Sequence, residues 1–266
     1  MNIVKFELKR AIYSKKFFIA IVLGILAQVA GALIMIAPAI KQLIEEQLSP
    51  SDVDIILNSW FSKVKLWYYS TNVSCFSIPL LCCIPFSGSL IHDKKTKFIN
   101  FFNYRCSYKK YIKGKIIACF TSGFLCTFIA TFIFYILICC FKQIDTNPTD
   151  AVGMLADLRN SNPDMYILIY TFIVSIMGGI YAIIGLAISS ISKSEVAGIL
   201  APAVYYYVFA RVFSFLGLEF MDPGIVNCYF VMVNTTWIDI ILNLTILLVI
   251  SIYILYKKEN KRGCYD

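Results

Sequence analysis

Apolar runs of about 20 residues, each long enough to cross a bilayer as a helix, recur along this chain and limit what it can fold into. From Phe17 to Ala37 there are 21 residues with one polar member, Gln28. Runs of the same kind lie at 71–91, 116–141, 165–191, 197–217 and 237–256, so with 17–38 there are six. The expectation is an all-α integral membrane protein with six transmembrane helices in a single transmembrane domain over 1–266. Composition agrees: 59% of residues are hydrophobic and 15% are charged, against roughly 25% charged in a soluble domain. The first run could instead be a cleaved signal, since Ala37-Pro38-Ala39 loosely resembles a cleavage site. A signal core runs only ~7–15 residues, so the run is read as a retained span.

Cations set the orientation. Eighteen Lys and Arg residues lie before the first span, between the second and third, between the fourth and fifth, and in the tail; five lie in the other connections. Such a bias places both termini in the cytoplasm of a plasma membrane. The net charge of +8 therefore reads as a topology signal and not as a nucleic-acid footprint. Seven of the ten cysteines fall inside apolar runs, no C-x-x-C pair occurs and His92 is the only histidine, which argues against a zinc site or a disulfide framework. H-E-x-x-H, G-x-S-x-G and the Walker loop G-x-x-x-x-G-K-[ST] are all absent, so neither an intramembrane enzyme nor an ATP site is expected in this chain.

The connections differ in character. In residues 1–16, Val4, Leu8, Ala11 and Ile12 share a helical stripe, while Lys5, Glu7, Lys9 and Arg10 lie mostly elsewhere; the spacing predicts an interfacial helix, or else a charged flank that sets topology. Residues 39–70 are expected to hold a helix before Pro50 and a second from Ser51. Residues 142–164 read as loop. Residues 218–236 are apolar but broken by Asp222-Pro223-Gly224, and are expected to form an outer, half-inserted segment.

Within the spans, Ala20, Gly24, Ala27 and Gly31 form one stripe of small residues, and Gly178, Ala182, Gly185 and Ser189 another. Such stripes let helices approach closely in lipid, either within one chain or between two copies. The second span is the most polar, with Asn72, Ser74 and Ser77 beside Pro79 and Pro85, and is expected to face a bundle interior or a translocation path. The fifth carries Tyr205, Tyr206, Tyr207 and Arg211. An intramembrane Arg needs a partner, for which Glu219, Asp222 and Asp239 are candidates; snorkelling to the outer headgroups or a role in the path are the alternatives.

The basic connection 92–115 holds more than topology requires. In a helix starting near Asp93, the residues Phe98, Phe101, Phe102 and Arg105 form one face beside Lys94, Lys95 and Lys97. That face suits docking into a groove on another protein, or lying on the inner leaflet.

A basic amphipathic start, a basic loop ending Tyr108-Lys109-Lys110-Tyr111-Ile112-Lys113-Gly114-Lys115, a very short Ser192-Lys193-Ser194-Glu195 connection and a broken apolar segment before the last span occur together. In this the whole chain resembles the permease subunit of ABC-2 type exporters, with a type V exporter-like fold. The resemblance implies a homodimer joined to two copies of a cytoplasmic ATPase subunit, which carries the ATP and Mg that this chain does not bind. It further implies that Asp93–Tyr104 forms the coupling helix, that Ser192, Lys193 and Glu195 make a shorter ATPase contact, and that the second and fifth spans line the path. The family exports peptides, drugs and lipid-linked glycans from bacterial cells. The small outer loops and weakly charged aromatic spans favour an amphipathic peptide here; a glycan or drug exporter, or a membrane scaffold without transport, are the alternative readings.

Overall fold

A computed structural model of the chain describes residues 3–45, 53, 63–99, 107–140, 155–218, 222–223 and 236–260. Among the described residues the secondary structure is helical, with no strand. Five helices are long and apolar enough to cross a membrane: α2 (Lys15–Glu45), α6 (Tyr108–Cys139), α8 (Pro163–Ser192), α9 (Glu195–Phe215) and α10 (Trp237–Asn260). They mark the chain as a multi-pass membrane protein. Shorter helices are α1 (Ile3–Ile12), α3 (Lys63–Cys75), α4 (Ile78–Leu81), α5 (Ser89–Lys95) and α7 (Ala156–Ser161).

The expected second span, 71–91, is not a continuous helix. It is divided among α3, α4 and α5, with turns at 76–77 and 82–88. Proline is the physical reason. Pro79 sits in the first turn of α4 and Pro85 falls in the following turn; neither can donate the backbone bond that would continue the preceding helix. The carbonyls freed by the breaks are taken up by side chains. Cys83 donates to the Pro79 carbonyl at 3.2 Å, and the Ser87 hydroxyl, at 2.6 Å, joins its own amide on the Cys83 carbonyl. Ser189 of α8 donates to the Ser87 carbonyl at 2.9 Å, and Tyr207 of α9 to that of Phe76 at 2.8 Å. Broken backbone at membrane depth is tolerated only when covered in this way.

The interrupted segment nevertheless runs the length of the bundle. At one end Lys63 pairs with Asp164 at the start of α8, and Tyr135 near the end of α6 donates to the same carboxylate at 2.8 Å. At the other end Asp93 meets Arg10 of α1. α3 packs antiparallel on α2, with the Ser70 hydroxyl donating to the Gln28 carbonyl and with Gly31 lying against Ser70 and Val73. Gln28, the polar residue inside the first run, is thereby buried among partners.

α8 is the axis on which α6, α9 and α10 pack. A Cβ on Gly123 of α6 would lie 2.7 Å from the Gly178 carbonyl oxygen, and one on Gly185 would lie 2.5 Å from that of Gly198 in α9. The α8 stripe of small residues therefore serves contacts within one chain, on both flanks. So does the α2 stripe, where a Cβ on Gly24 would lie 2.8 Å from the Cβ of Ala130. Two buried thiols close the same core: Cys83 and Cys119 donate to the Tyr181 and Ala182 carbonyls at 3.3 and 3.2 Å. Burial raises the cost of any polar group left unpaired, so these thiol bonds fit a dry interior.

Other expectations shift. The first span does not stop at Pro38: α2 continues through it to Glu45. Residues 142–164 are not all loop, because α7 lies within them. The helix expected from Ser51, and the half-inserted segment 218–236 apart from 218, 222–223 and 236, lie outside the described residues. At about 1.5 Å per residue, helices of 30 residues such as α8 exceed the ~30 Å hydrocarbon core, so their ends project beyond it.

Candidate functional site

The end of the bundle that holds α1 also holds α5, the start of α6, the α8–α9 turn and the end of α10. The candidate site is assembled there. α1 docks on the first turns of α6 through Ile3, Glu7 and Ala11, all buried. Of the apolar stripe expected from sequence, Ala11 is buried, while Val4, Leu8 and Ile12 are half-buried. What rotates the helix is charge: Lys115 of α6 is fully buried, and its ammonium lies 2.9 Å from the Glu7 carboxylate and 2.7 Å from that of Asp93. Gly114 leaves room for Ile3, whose Cγ2 would lie 3.0 Å from a Cβ there.

Asp93 is the hub. Arg10 Nη2 donates to Oδ1 at 2.7 Å and Nη1 to Oδ2 at 3.0 Å, a two-pronged pairing, and the Tyr111 hydroxyl donates to Oδ2 at 2.6 Å. Arg10 also reaches Glu7 at 3.2 Å. Two carboxylates and two cations thus neutralise one another, with the guanidinium 4.8 Å from the Phe98 ring centre and the ammonium 4.6 Å from that of Phe86. Burial alone would raise the Asp93 carboxyl, but the Arg10 hydrogen bonds, and then Lys115 and Tyr111, hold it down at about 2. Burial likewise opposes the charge on Arg10, and the bonds to Asp93 with the field of Glu7 more than offset it, so its pKa is raised. A buried charge pair is favoured only when hydrogen bonds accompany it, and Arg10 and Tyr111 supply them to Asp93.

A second ionic junction adjoins it. Lys94 donates to Glu259 of α10 at 2.6 and 2.8 Å, and the hydroxyls of Tyr108 and Ser190 donate to the same carboxylate. Two successive residues of α5 therefore tie five helices together at this end.

The expected coupling residues separate accordingly. Asp93 and Lys94 are turned inward and engaged, whereas Lys95 and Lys97 are exposed. The helix expected to run on from Asp93 is interrupted: α5 is capped at Thr96, whose amide donates to the His92 carbonyl, and Lys97 is left-handed at φ 56°. Phe98 is half-buried and stacks on Phe6 at 6.4 Å. Phe101, Phe102 and Arg105 lie outside the described residues. In the α8–α9 turn, Ser192 and Lys193 are exposed, Lys193 at φ 58°, and Ser194 caps α9 by accepting from the Ala197 amide. Glu195 lies 3.6 Å from Lys16 and 3.7 Å from His92. The short turn and the basic segment therefore share one surface.

The expected path residues are not brought together. Ser74 and Ser77 line a gap of about 20 Å³ between α2, α4 and α6, room for roughly one water; the Asn72 side chain lies outside the described set. Tyr205 lines a separate apolar cleft of about 300 Å³ between α8, α9 and α10. Tyr206 is buried edge-on to Tyr181 and Phe76. Arg211 is exposed and forms no ion pair among the described residues; Asp239 instead accepts from the Thr236 amide and hydroxyl at the start of α10.

Glu7, Tyr111, Lys115 and Glu259 were not anticipated as site residues. The signal was present for two of them: Lys115 is a cation at the very start of an apolar run, and Glu7 is the acid in a basic helix. No family model matches this chain, and no curated protein and no solved structure matches it either.

Proposed function

We propose that this chain is the permease subunit of an ATP-driven exporter in a bacterial plasma membrane, acting as a pair with two copies of a separate cytoplasmic ATPase and moving an amphipathic peptide outward. In this reading the interrupted segment counts as a sixth crossing, both termini are cytoplasmic, and the end of the bundle carrying α1 and α5 faces the ATPase. The observation that carries the reading is the buried Glu7–Arg10–Asp93–Lys115 cluster. A loop that merely marked topology would leave its charges in water. Here the basic segment is locked to α1 and to the base of α6, so a push on exposed Lys95 or Lys97 is delivered to the spans without first deforming a loop. Glu195 beside His92 brings the base of α9 to the same surface.

The mechanism follows from that linkage. The ATPases bind and hydrolyse ATP; their closure moves α5 and the α8–α9 turn together. α6, α8 and α9 are packed through glycine contacts that leave little slack, so they tilt as a block against the neighbouring copy. The test is ATP hydrolysis by the purified complex in proteoliposomes. Reversing charge at the exposed positions, Lys95→Glu with Lys97→Glu and Lys193→Glu, is expected to lower hydrolysis about tenfold or more by loosening the docked ATPase, with membrane insertion unchanged. Full hydrolysis in that variant would remove the docking surface, and a chain that associates with no nucleotide-hydrolysing subunit would leave the scaffold reading in its place.

A further inference from the structure

α9 and α10 both pack on α8, and between them they leave the apolar cleft of about 300 Å³. Ile184 and Ile188 of α8 line one side, Tyr205 and Phe209 of α9 a second, and Ile250 and Ile254 of α10 the third. Phe209 is 41% and Ile250 50% exposed, so the rim of the cleft faces sideways, toward the bilayer. The lining runs along α10 from Asn243 to Ile254, about 16 Å of helix rise.

We infer that this cleft holds one acyl chain of a membrane phospholipid, with the headgroup at the Lys257 end. An empty cleft would forfeit the dispersion contacts of its walls, and it cannot close by drawing α9 and α10 together. Gly185 seats α9 on α8 through close contact with the Gly198 carbonyl, and Glu259 ties α10 to Ser190 of α8 and to Lys94. Water is a poor filling. Tyr205, Asn243 and Ser251 are the lining residues with polar side chains, and the Ser251 hydroxyl already donates to the Leu247 carbonyl at 2.6 Å; apolar cavities stay dry. Shape selects among apolar occupants. A cavity of ~150 Å³ takes a benzene ring, whereas this one is larger and drawn out along the helices, as a flexible chain requires. A helix from a second copy or a partner, ~10–12 Å across, is too thick to enter it. Charge sets the direction. The α10 face that lines the cleft continues past Ile254 to Lys257 and Lys258, at the i+3 and i+4 positions. Lys257 is exposed, and the following acid, Glu259, is turned inward to Lys94, so this end favours an anionic headgroup. The inference needs only the membrane assignment and not the ATPase.

The test is lipid retention by the purified full chain, read by native mass spectrometry after delipidation and titration with dioleoyl or dihexanoyl phosphatidylglycerol. One dioleoyl lipid per chain is expected to stay bound and the short-chain lipid to be lost. Ile250→Trp fills the cleft from its exposed rim and should lower retention about tenfold or more. Val249→Trp, at a 63% exposed position of the same helix outside the cleft, should leave it unchanged. Thermal unfolding and elution volume check that each variant is folded, and Phe209→Trp repeats the test from the opposite wall. Lys257→Gln with Lys258→Gln should keep the lipid but abolish the preference for phosphatidylglycerol over phosphatidylcholine. Equal retention of long- and short-chain lipid, undiminished retention in folded Ile250→Trp and Phe209→Trp, or an equal loss in Val249→Trp would overturn the inference. A dimer lost in Ile250→Trp with lipid retention intact would assign the cleft to a second copy instead. An unchanged headgroup preference in the lysine variant would overturn the placement at the Lys257 end.

Discussion

Asp93 concentrates at one residue the contest between desolvation and pairing. Its carboxylate is nearly inaccessible, yet Arg10, Lys115 and Tyr111 keep it ionised, with a pKa of about 2. Because the folded value lies below the unfolded one, the associated stability is present above about pH 4 and is lost as pH falls toward 2. Its size is on the order of 2 kcal/mol. Unfolding measured in detergent should therefore show an acid step between about pH 4 and pH 2 that Asp93→Asn lacks. At neutral pH the same substitution should cost ~3–5 kcal/mol, because it leaves Arg10 and Lys115 facing Glu7 alone. A variant as stable as the parent at pH 7 would mean that the cluster is not a structural tie. Sequence pointed to Asp93, but as a residue on an exposed helix. The reason for the difference lies in Lys115, twenty-two positions away, whose burial demands two carboxylates. No local pattern encodes a pairing of that kind.

At the scale of elements, the long helices were legible because an apolar run of this length has few other fates. α6, α8, α9 and α10 were found within a few residues apart from the amino-terminal extension of α6 to Tyr108. The interrupted segment was misread as one helix, although its own prolines and hydroxyl residues carried the information; what was hidden was that Ser189 and Tyr207, from other elements, accept the task of capping the broken backbone. The small-residue stripes were visible, while their partners were not. Their intrachain role gives a direct expectation. Gly123→Ala would set a methyl 2.7 Å from the Gly178 carbonyl, and should destabilise the chain in detergent by ~1–3 kcal/mol. Ala30→Leu, on an exposed position of α2, should be nearly neutral. Equal effects would place the α6–α8 seam elsewhere.

For the whole molecule, the cation bias and the two ionic ends agree on a simple geometry. Arg10, Asp93, Lys115 and Glu259 gather at one end, and Lys63, Tyr135 and Asp164 at the other. In a cysteine-free background, a thiol restored at Cys140, exposed at the Lys63 end, should react with an impermeant reagent from outside intact cells. One restored at Cys106 should react only from inside. The reverse pattern would invert the proposed orientation. The divided segment from Lys63 to Lys95 carries a further implication for biosynthesis. Its short, hydroxyl-rich pieces offer the insertion machinery little reason to release them into lipid, and their polar atoms find shelter against α1, α2, α6, α8, α9 and α10. That stretch is therefore expected to settle in the membrane only together with the later helices that cover it, as a cooperative step and not an independent one.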